Sequence, residues 1–405
     1  MSKWPSVALA DVAKIERSTI QPEDIAPSDS YVGLENIARG GDFVNLKNAG
    51  AAGVASAKFR FTPRQVLFGK LRPYLAKIAC PDFGGVCSTD ILPITPGPDL
   101  DRSYLRRFLA LPDTIALAVS RSTGANLPRL SPKALAEFSL PLPPLEEQRR
   151  IAQMLDHVDG LRARRRKAIA LLDDLTQAIF LDMFGDPAQA RPNFPMRALV
   201  DTVEAPLQNG AYYPKELYVA SGGVEMVHMG DAFYGKVERG NLKRVACSDV
   251  DRKKYSLGSG DVLVARRSLN YEGSAKPCLV PASREPLIFE SSLIRVTPSR
   301  EIATASYIYH YLNNQHVRER FVFPFVTGAT ISGISQKNLA QIPVMTPPIE
   351  MQMEFASRLE GIDRVRSGGE FHLAEIDSLF ASLQYRAFRG ELQLDIPMQP
   401  RTQPV

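Results

Sequence analysis

Cysteine is scarce in this chain, and its placement removes two classes of protein at once. The four cysteines, Cys80, Cys87, Cys247 and Cys278, form no Cys-x-x-Cys pair. Neither a zinc ribbon nor a disulfide scaffold is indicated, so the thiols read as reduced core residues of a cytoplasmic protein. No apolar run is long enough to cross a bilayer, and no membrane contact is expected. The opening Met1-Ser2-Lys3-Trp4-Pro5 leads into no apolar signal-peptide core. Catalytic signatures are missing as well. Adenine methylation needs an Asn/Asp-Pro-Pro-aromatic motif to hold the amino group. The proline pairs here are Leu142-Pro143-Pro144-Leu145 and Thr346-Pro347-Pro348-Ile349, with neither the polar lead nor the aromatic. There is no Phe-x-Gly-x-Gly loop and no Walker A loop. A metal-dependent nuclease needs clustered carboxylates and a lysine, and Asp251-Arg252-Lys253 is the nearest fragment. His310-x-x-Asn313-Asn314-x-His316 lies in an expected helix and reads as a polar helix face. No catalytic residue and no metal ligand is assigned.

What the chain does have is a long helical pattern. From Pro143 to Gly185 no proline interrupts it after the opening pair, and Ile151, Leu155, Val158, Ile169, Leu172, Ile179 and Met183 recur at helical spacing. Glu146 and Glu147 stand in the first turn, where the helix dipole favours anions. At 1.5 Å per residue such a rod spans roughly 58 Å, which suits a spacer or one member of a helix pair.

The other member is further down the chain. Thr123-Gly124-Ala125 recurs 204 residues later as Thr327-Gly328-Ala329. At the same offset Pro143-Pro144, Glu146, Gln148, Leu155 and Asp159 match Pro347-Pro348, Glu350, Gln352, Leu359 and Asp363. Upstream, Gln65 to Leu71 corresponds to Asp261 to Arg267. The architecture is therefore globular, helix, globular, helix, and an internal repeat of this length sets the fold. Two matched helices with apolar seams are expected to pair antiparallel as a coiled coil. Gly368-Gly369 is the weak point of the second helix and is expected to loosen or kink it.

The modest charge is unevenly placed. Residues 1–144 carry 17 Lys+Arg against 13 Asp+Glu, and residues 190–347 carry 19 against 14. Two mildly basic modules suit nucleic-acid contact, although ordinary surface charge would look the same.

Leu140-Pro141-Leu142-Pro143-Pro144-Leu145-Glu146-Glu147-Gln148-Arg149-Arg150-Ile151 closely resembles the start of the central helix in type I restriction–modification specificity subunits. Tyr31-Val32-Gly33-Leu34-Glu35-Asn36-Ile37 and Met183-Phe184-Gly185-Asp186-Pro187 resemble that family too. The resemblance implies an α+β protein with a pseudo-two-fold internal repeat. Its two mixed α/β target recognition domains are separated by two long antiparallel helices forming a coiled coil. The expected boundaries are domain one at 1–142, the central helix at 143–186, domain two at 187–346, the C-terminal helix at 347–390, and a disordered tail at 391–405. Each domain would read one half of a split double-stranded DNA target. The helices would set the gap and dock two methyltransferase subunits, and motor–nuclease subunits could join. S-adenosylmethionine, ATP and magnesium would belong to those partners, with no cofactor in this chain. A methylation-only or other phage-defence complex is the alternative setting, and a self-contained DNA-modifying enzyme is disfavoured by the missing motifs.

Base and phosphate readout needs basic and amide side chains on loops. In the first module Lys70, Arg72, Tyr74 and Lys77 follow an expected strand. In the second, Arg266, Arg267, Asn270, Tyr271 and Lys276 occupy the matching loop, and Asn209, Tyr212 and Tyr213 form another. Thr123, Asn126 and Thr330 lie in the repeated Thr-Gly-Ala loops, which could approach phosphate or simply be structural turns. Arg149, Arg150, Arg164 and Arg165 are candidates for partner docking. The run Arg162 to Lys167 could equally face phosphate or solvent.

Overall fold

A computed structural model describes residues 3–189, 192–232, 235, 237–269, 271–328 and 331–392. The expected tail lies outside the described residues from position 393 onward. The chain forms two compact units, Met1–Lys167 with Phe371–Val405, and Ala168–Glu370. The division falls within the two long helices, so each unit holds one globular module and a segment of each helix.

In the first unit, Ser6–Ala8 pairs antiparallel with Ser139–Pro141, tying the start of the module to the residues that lead into the helix. An antiparallel sheet places Ala13–Ile15, Ile91–Pro96, Val66–Gly69 and Ile78–Ala79 side by side. Val66–Gly69 is buried at every position, which explains its unbroken apolar run. A five-stranded sheet contains one parallel pair, Ser30–Val32 beside Gly85–Cys87. The run from Tyr31 to Ile37 is only partly strand, and Leu34–Asn36 is a 3-10 turn. Asn36 Oδ1 accepts from Gly33 N at 2.9 Å, and its Nδ2 donates to the carbonyls of Val44 and Asn45. An asparagine that satisfies nearby backbone in this way competes with ladder formation.

The second unit repeats this plan. Met196–Ala198 pairs with Pro343–Met345. Gln208–Asn209, Leu293–Val296, Val262–Ala265 and Pro277–Leu279 form the antiparallel sheet in the corresponding order. The second sheet again carries one parallel pair, Val224–Val227 beside Leu287–Phe289.

The long helices run Leu145–Phe184 and Ile349–Arg389. The second is unbroken at Gly368–Gly369, contrary to the expected loosening. A Cβ added at Gly368 would meet nothing within 4 Å, so no packing demand acts there. Two glycines cost roughly 2 kcal/mol against alanine, which contacts elsewhere along a 41-residue helix offset.

In the first unit the helix segments are antiparallel. Arg162 lies over the Phe380 ring at 4.4 Å, while Arg166, one turn on, reaches back to Asp377 at 3.2 Å. Arg107 is buried and bonds Asp156 and Asp159 at 2.6 and 2.9 Å, docking the short helix Arg102–Leu109 on the long one. In the second unit Asp173 meets Arg366 at 2.7 Å, and Phe180 and Phe184 pack on Phe355 at 5.7 and 5.3 Å. That order is antiparallel too.

Both modules are pinned to a helix start by the same glutamine. Gln148 is fully buried. Its Nε2 donates to the carbonyls of Asp99 and Pro143, and its Oε1 accepts from Asp101 N, all at 2.8 Å. Gln352 is fully buried and bonds Ile302 O, Pro347 O and Thr304 N, all at 2.9 Å.

Candidate nucleic-acid interface

In the second module the turn Glu290–Ser292 brings separate segments together. Ser291 N donates to Ala211 O and Arg266 N donates to Ser292 O, both at 2.9 Å. The Arg266 guanidinium reaches Ser291 O at 3.4 Å. The Asn209–Tyr212 segment and the loop after Val262–Ala265 therefore share one turn. Tyr212 is 81 % exposed at this place. An exposed aromatic ring beside basic groups is the composition of a base-stacking surface. A hollow next to it is lined by Tyr212, Tyr213, Lys215, Tyr218, Lys243 and Arg244. His228 closes its floor, with Nδ1 donating to Met226 O and Nε2 taking the Tyr218 hydroxyl at 2.9 Å. A carbonyl only accepts, and this fixes the tautomer.

The first module has the corresponding turn. Lys70 N donates to Asp90 O, and Lys70 O accepts from Leu130 N. Arg72 N donates to Pro128 O at 2.7 Å. The loop after Val66–Gly69 therefore lies along the segment that follows the Thr-Gly-Ala turn. Arg72 and Ala76 have φ of 51° and 50°, and Ala275 in the second module has 56°. Of the four non-glycine residues with positive φ among those described, three flank these two loops. Strained backbone of this kind persists where its surroundings over-determine it, and it concentrates at working surfaces.

The expected contact residues separate by environment. Arg72, Tyr74, Thr123, Asn126, Tyr212, Arg267 and Tyr271 are exposed, while Lys70, Asn209 and Arg266 are half-buried. Lys77 is turned inward, its ammonium donating to Leu34 O. Tyr213 is buried and donates its hydroxyl to Asp251 at 3.1 Å, so it supports the hollow from within. Lys276 is half-buried, and burial, with Arg318 beside it, lowers its pKa. Asn270 and Thr330 lie outside the described residues. Thr123 and Thr327 each open a hairpin, bridging to Arg129 and Gly333. Gly124 and Gly328 have φ of 107° and 112°, and a Cβ at Gly328 would lie 2.1 Å from Ile331 O. A side chain is excluded there, so the turn itself accounts for the repeated glycine.

Among the docking candidates, Arg149 and Arg164 are exposed and Arg150 and Arg165 half-buried. Arg149 stands 4.0 Å from Asp101. Within the neighbouring basic run, Arg162 and Arg166 are both engaged with Asp377. The expected polar face around His310 is a packed one instead. His310 meets the Phe355 ring at 5.4 Å, and burial, with Arg366 nearby, lowers its pKa to about 4.

Two functional candidates escaped the sequence reading. Arg318 donates to the carbonyls of Glu272, Ser274, Ala275 and Leu312 at 2.8–3.3 Å and clamps the long reading loop of the second module. Nothing in its sequence context marks it. Arg129 forms a forked pair with Asp90, Nε to Oδ1 at 2.9 Å and Nη2 to Oδ2 at 3.2 Å. Its signal was available, because at the repeat offset an arginine faces a glycine, Gly333.

Fold and site together define a duplicated two-module protein with one basic, strained loop presented by each module. The chain belongs to the family of type I restriction modification DNA specificity domains, whose profile matches residues 1–171 and 193–368. It is 27% identical over 291 residues to the type I restriction enzyme EcoKI specificity subunit of Escherichia coli K12, covering 67% of this chain and 62% of that protein. It is 34% identical over 136 residues to the EcoDI specificity subunit of Escherichia coli, covering 33% of this chain and 30% of that one. The matched parts thus span less than two thirds of these relatives. Among solved structures, an S subunit of a type I restriction–modification system from M. genitalium aligns over 96% of both chains with a TM-score of 0.56 at 12% identity. A chain from a study of complex assembly and conformational transition of the type I R-M system aligns over 96% of this chain and 98% of that one, with a TM-score of 0.54 at 19% identity. At these identities the likeness speaks for the fold. Among the described residues, no helix is long and apolar enough to cross a membrane.

Proposed function

We propose that this chain is the non-catalytic DNA-reading subunit of a type I restriction–modification complex in the cytoplasm. Each module reads one half of a bipartite double-stranded target, and the two long helices set the gap between the halves. Two methyltransferase subunits dock on the helices, and motor–nuclease subunits join the restricting form of the complex. S-adenosylmethionine, ATP and magnesium act in those partners. The single observation that carries this reading is the repeat of topology around unlike loops. Both modules keep the same strand order in their four-stranded antiparallel sheet, and the loop at the same place carries Lys70, Arg72 and Tyr74 in one and Arg266, Arg267 and Tyr271 in the other. Two equivalent scaffolds with different reading groups suit two different half-sites. Docking is supported by apolar groups left bare on the helices. In the first unit Phe371, Leu379 and Tyr385 are 64 %, 50 % and 53 % exposed. Exposed apolar side chains on these helices suit a surface covered by a partner.

Methylation mapping in a host carrying the full complex tests the reading. A two-part motif is expected. Arg266→Ala and Tyr212→Ala should each weaken one half of it only, by roughly 1–3 kcal/mol where a bidentate or stacking contact is lost. Methyl transfer by the purified chain alone would refute the assignment, and so would an intact motif after both substitutions.

A further inference from the structure

The two reading loops differ at one point that the shared scaffold does not explain. In the first module Asp90 and Arg129 form their forked pair across the turn, with side chains 23 % and 44 % exposed. In the second module the equivalent positions are Ser292 and Gly333. Ser292 O accepts from Arg266 N just as Asp90 O accepts from Lys70 N. Gly333 exchanges backbone hydrogen bonds with Thr327 at 2.8 and 2.9 Å, as Arg129 does with Thr123 at 2.9 and 3.0 Å. The second hairpin closes equally well with no ion pair. The pair is therefore not needed to build the turn, and an exposed pair contributes little to stability.

We infer that Arg129 reads a guanine in the half-site taken by the first module, with Asp90 as its positioning residue; this rests on the DNA-reading role proposed above. The geometry argues it in three steps. First, Arg129 joins both candidate loops, bridging to Leu71 on one side and Thr123 on the other. Arg72, the residue after Leu71, and Tyr74 are exposed. Second, Asp90 takes Nε and Nη2, the side edge of the guanidinium. The end edge keeps two outward N–H donors, one on Nη1 and one on Nη2, at the spacing of guanine O6 and N7. Third, Asp90 already offsets the charge of the guanidinium. A phosphate would meet that carboxylate as a like charge, whereas the neutral acceptors of a guanine edge would not.

The test uses the full chain with its modification subunits in a host free of other adenine methylation, mapped by long-read sequencing. The wild-type motif is expected to hold a guanine in the half that Arg266→Ala and Tyr212→Ala leave intact. Arg129→Ala should make that one position degenerate, with a roughly 5- to 150-fold loss of discrimination, while the other half and the gap stay unchanged. Arg129→Lys keeps charge and stem but cannot fork, so it should lose the same preference and retain overall modification. Asp90→Asn should lose part of that preference with an unchanged melting temperature, a combination that a merely structural pair would not give. The inference is overturned if the motif is bipartite but its first half holds no guanine. It is also overturned if Arg129→Ala leaves that guanine fixed, or weakens all sites uniformly as loss of a phosphate contact would. A wild-type chain that yields no bipartite motif sinks the DNA-reading role itself, and the inference with it.

Discussion

Truncating the buried glutamines measures how the modules are held on their helices. Gln148→Ala removes one acceptor and two donors from a site with no exposure and bonds of 2.8 Å. It leaves Asp101 N and the carbonyls of Asp99 and Pro143 without their partner. A buried polar group left unpaired costs about 1–3 kcal/mol, so three orphans give about 3 kcal/mol even at the low end. Gln352→Ala does the same to Thr304 N, Ile302 O and Pro347 O. For a unit of this size, about 3 kcal/mol lowers the melting temperature by roughly 6–12 °C. Calorimetry of the full chain reads the size of the effect. Hydrogen exchange reads its place, with Gln148→Ala loosening peptides around Asp101 and Gln352→Ala those around Thr304. The two sites share no partners, so the double variant should show the sum. A change below about 1 kcal/mol in either variant would refute the reasoning, because water would then be replacing the glutamine at no cost.

Two further outcomes follow from packed groups in the second unit. His310 is held neutral down to about pH 4, against an ordinary value of 6.5. Between those values the unfolded chain binds a proton that the folded one refuses, so the stability His310 contributes is present above pH 6.5 and lost as pH falls toward 4. The full shift corresponds to about 3 kcal/mol, and melts at pH 7, 5.5 and 4 should show His310→Gln losing less than the wild type by up to that amount. Arg318→Ala strips donors from the carbonyls of Glu272, Ser274, Ala275 and Leu312. It should cost about 2–4 kcal/mol and raise exchange across residues 271–276, with recognition by the second module falling and that by the first retained.

The scaffold was legible in the sequence because its parts repeat. Pro143-Pro144, Gln148 and Leu155 recur at one offset, and each does the same physical work twice: ending a strand, pinning a helix start, filling a core. The helix limits followed from the proline stops and the terminal glycines. The glycine pair misled, since propensity weighed alone ignores the rest of a long helix. Site residues were less legible, because side-chain direction is not written in spacing. Lys77 and Lys276 occupy matching places after Ala76 and Ala275, yet neither is simply a free cation. Tyr212 and Tyr213 are neighbours, and one points to solvent while the other enters the core. Alternation along an extended segment separates them, but which of the two faces out depends on the Glu290–Ser292 turn nearly eighty positions away.

That contrast bears on how a duplicated reader can change its target. The buried glutamines kept between the copies are ones whose loss would leave backbone groups unpaired, while Asp90 and Arg129 carry no such constraint. Asp90 and Arg129 became, or remained, Ser292 and Gly333 in the other copy without any change in the backbone bonds of the turn. A paired loss of this kind costs the fold almost nothing, because an exposed ion pair contributes little. Losing one partner alone is different, since Asp90 without Arg129 would set an uncompensated carboxylate against the acceptor edge of the guanine. The pair is therefore expected to be kept or lost as a unit, and the single change Arg129→Ala should weaken DNA binding more than the double change with Asp90→Ser. If the double variant binds no better than the single, the carboxylate is not facing the DNA, and the loop reads its half-site through Lys70 and Arg72 instead.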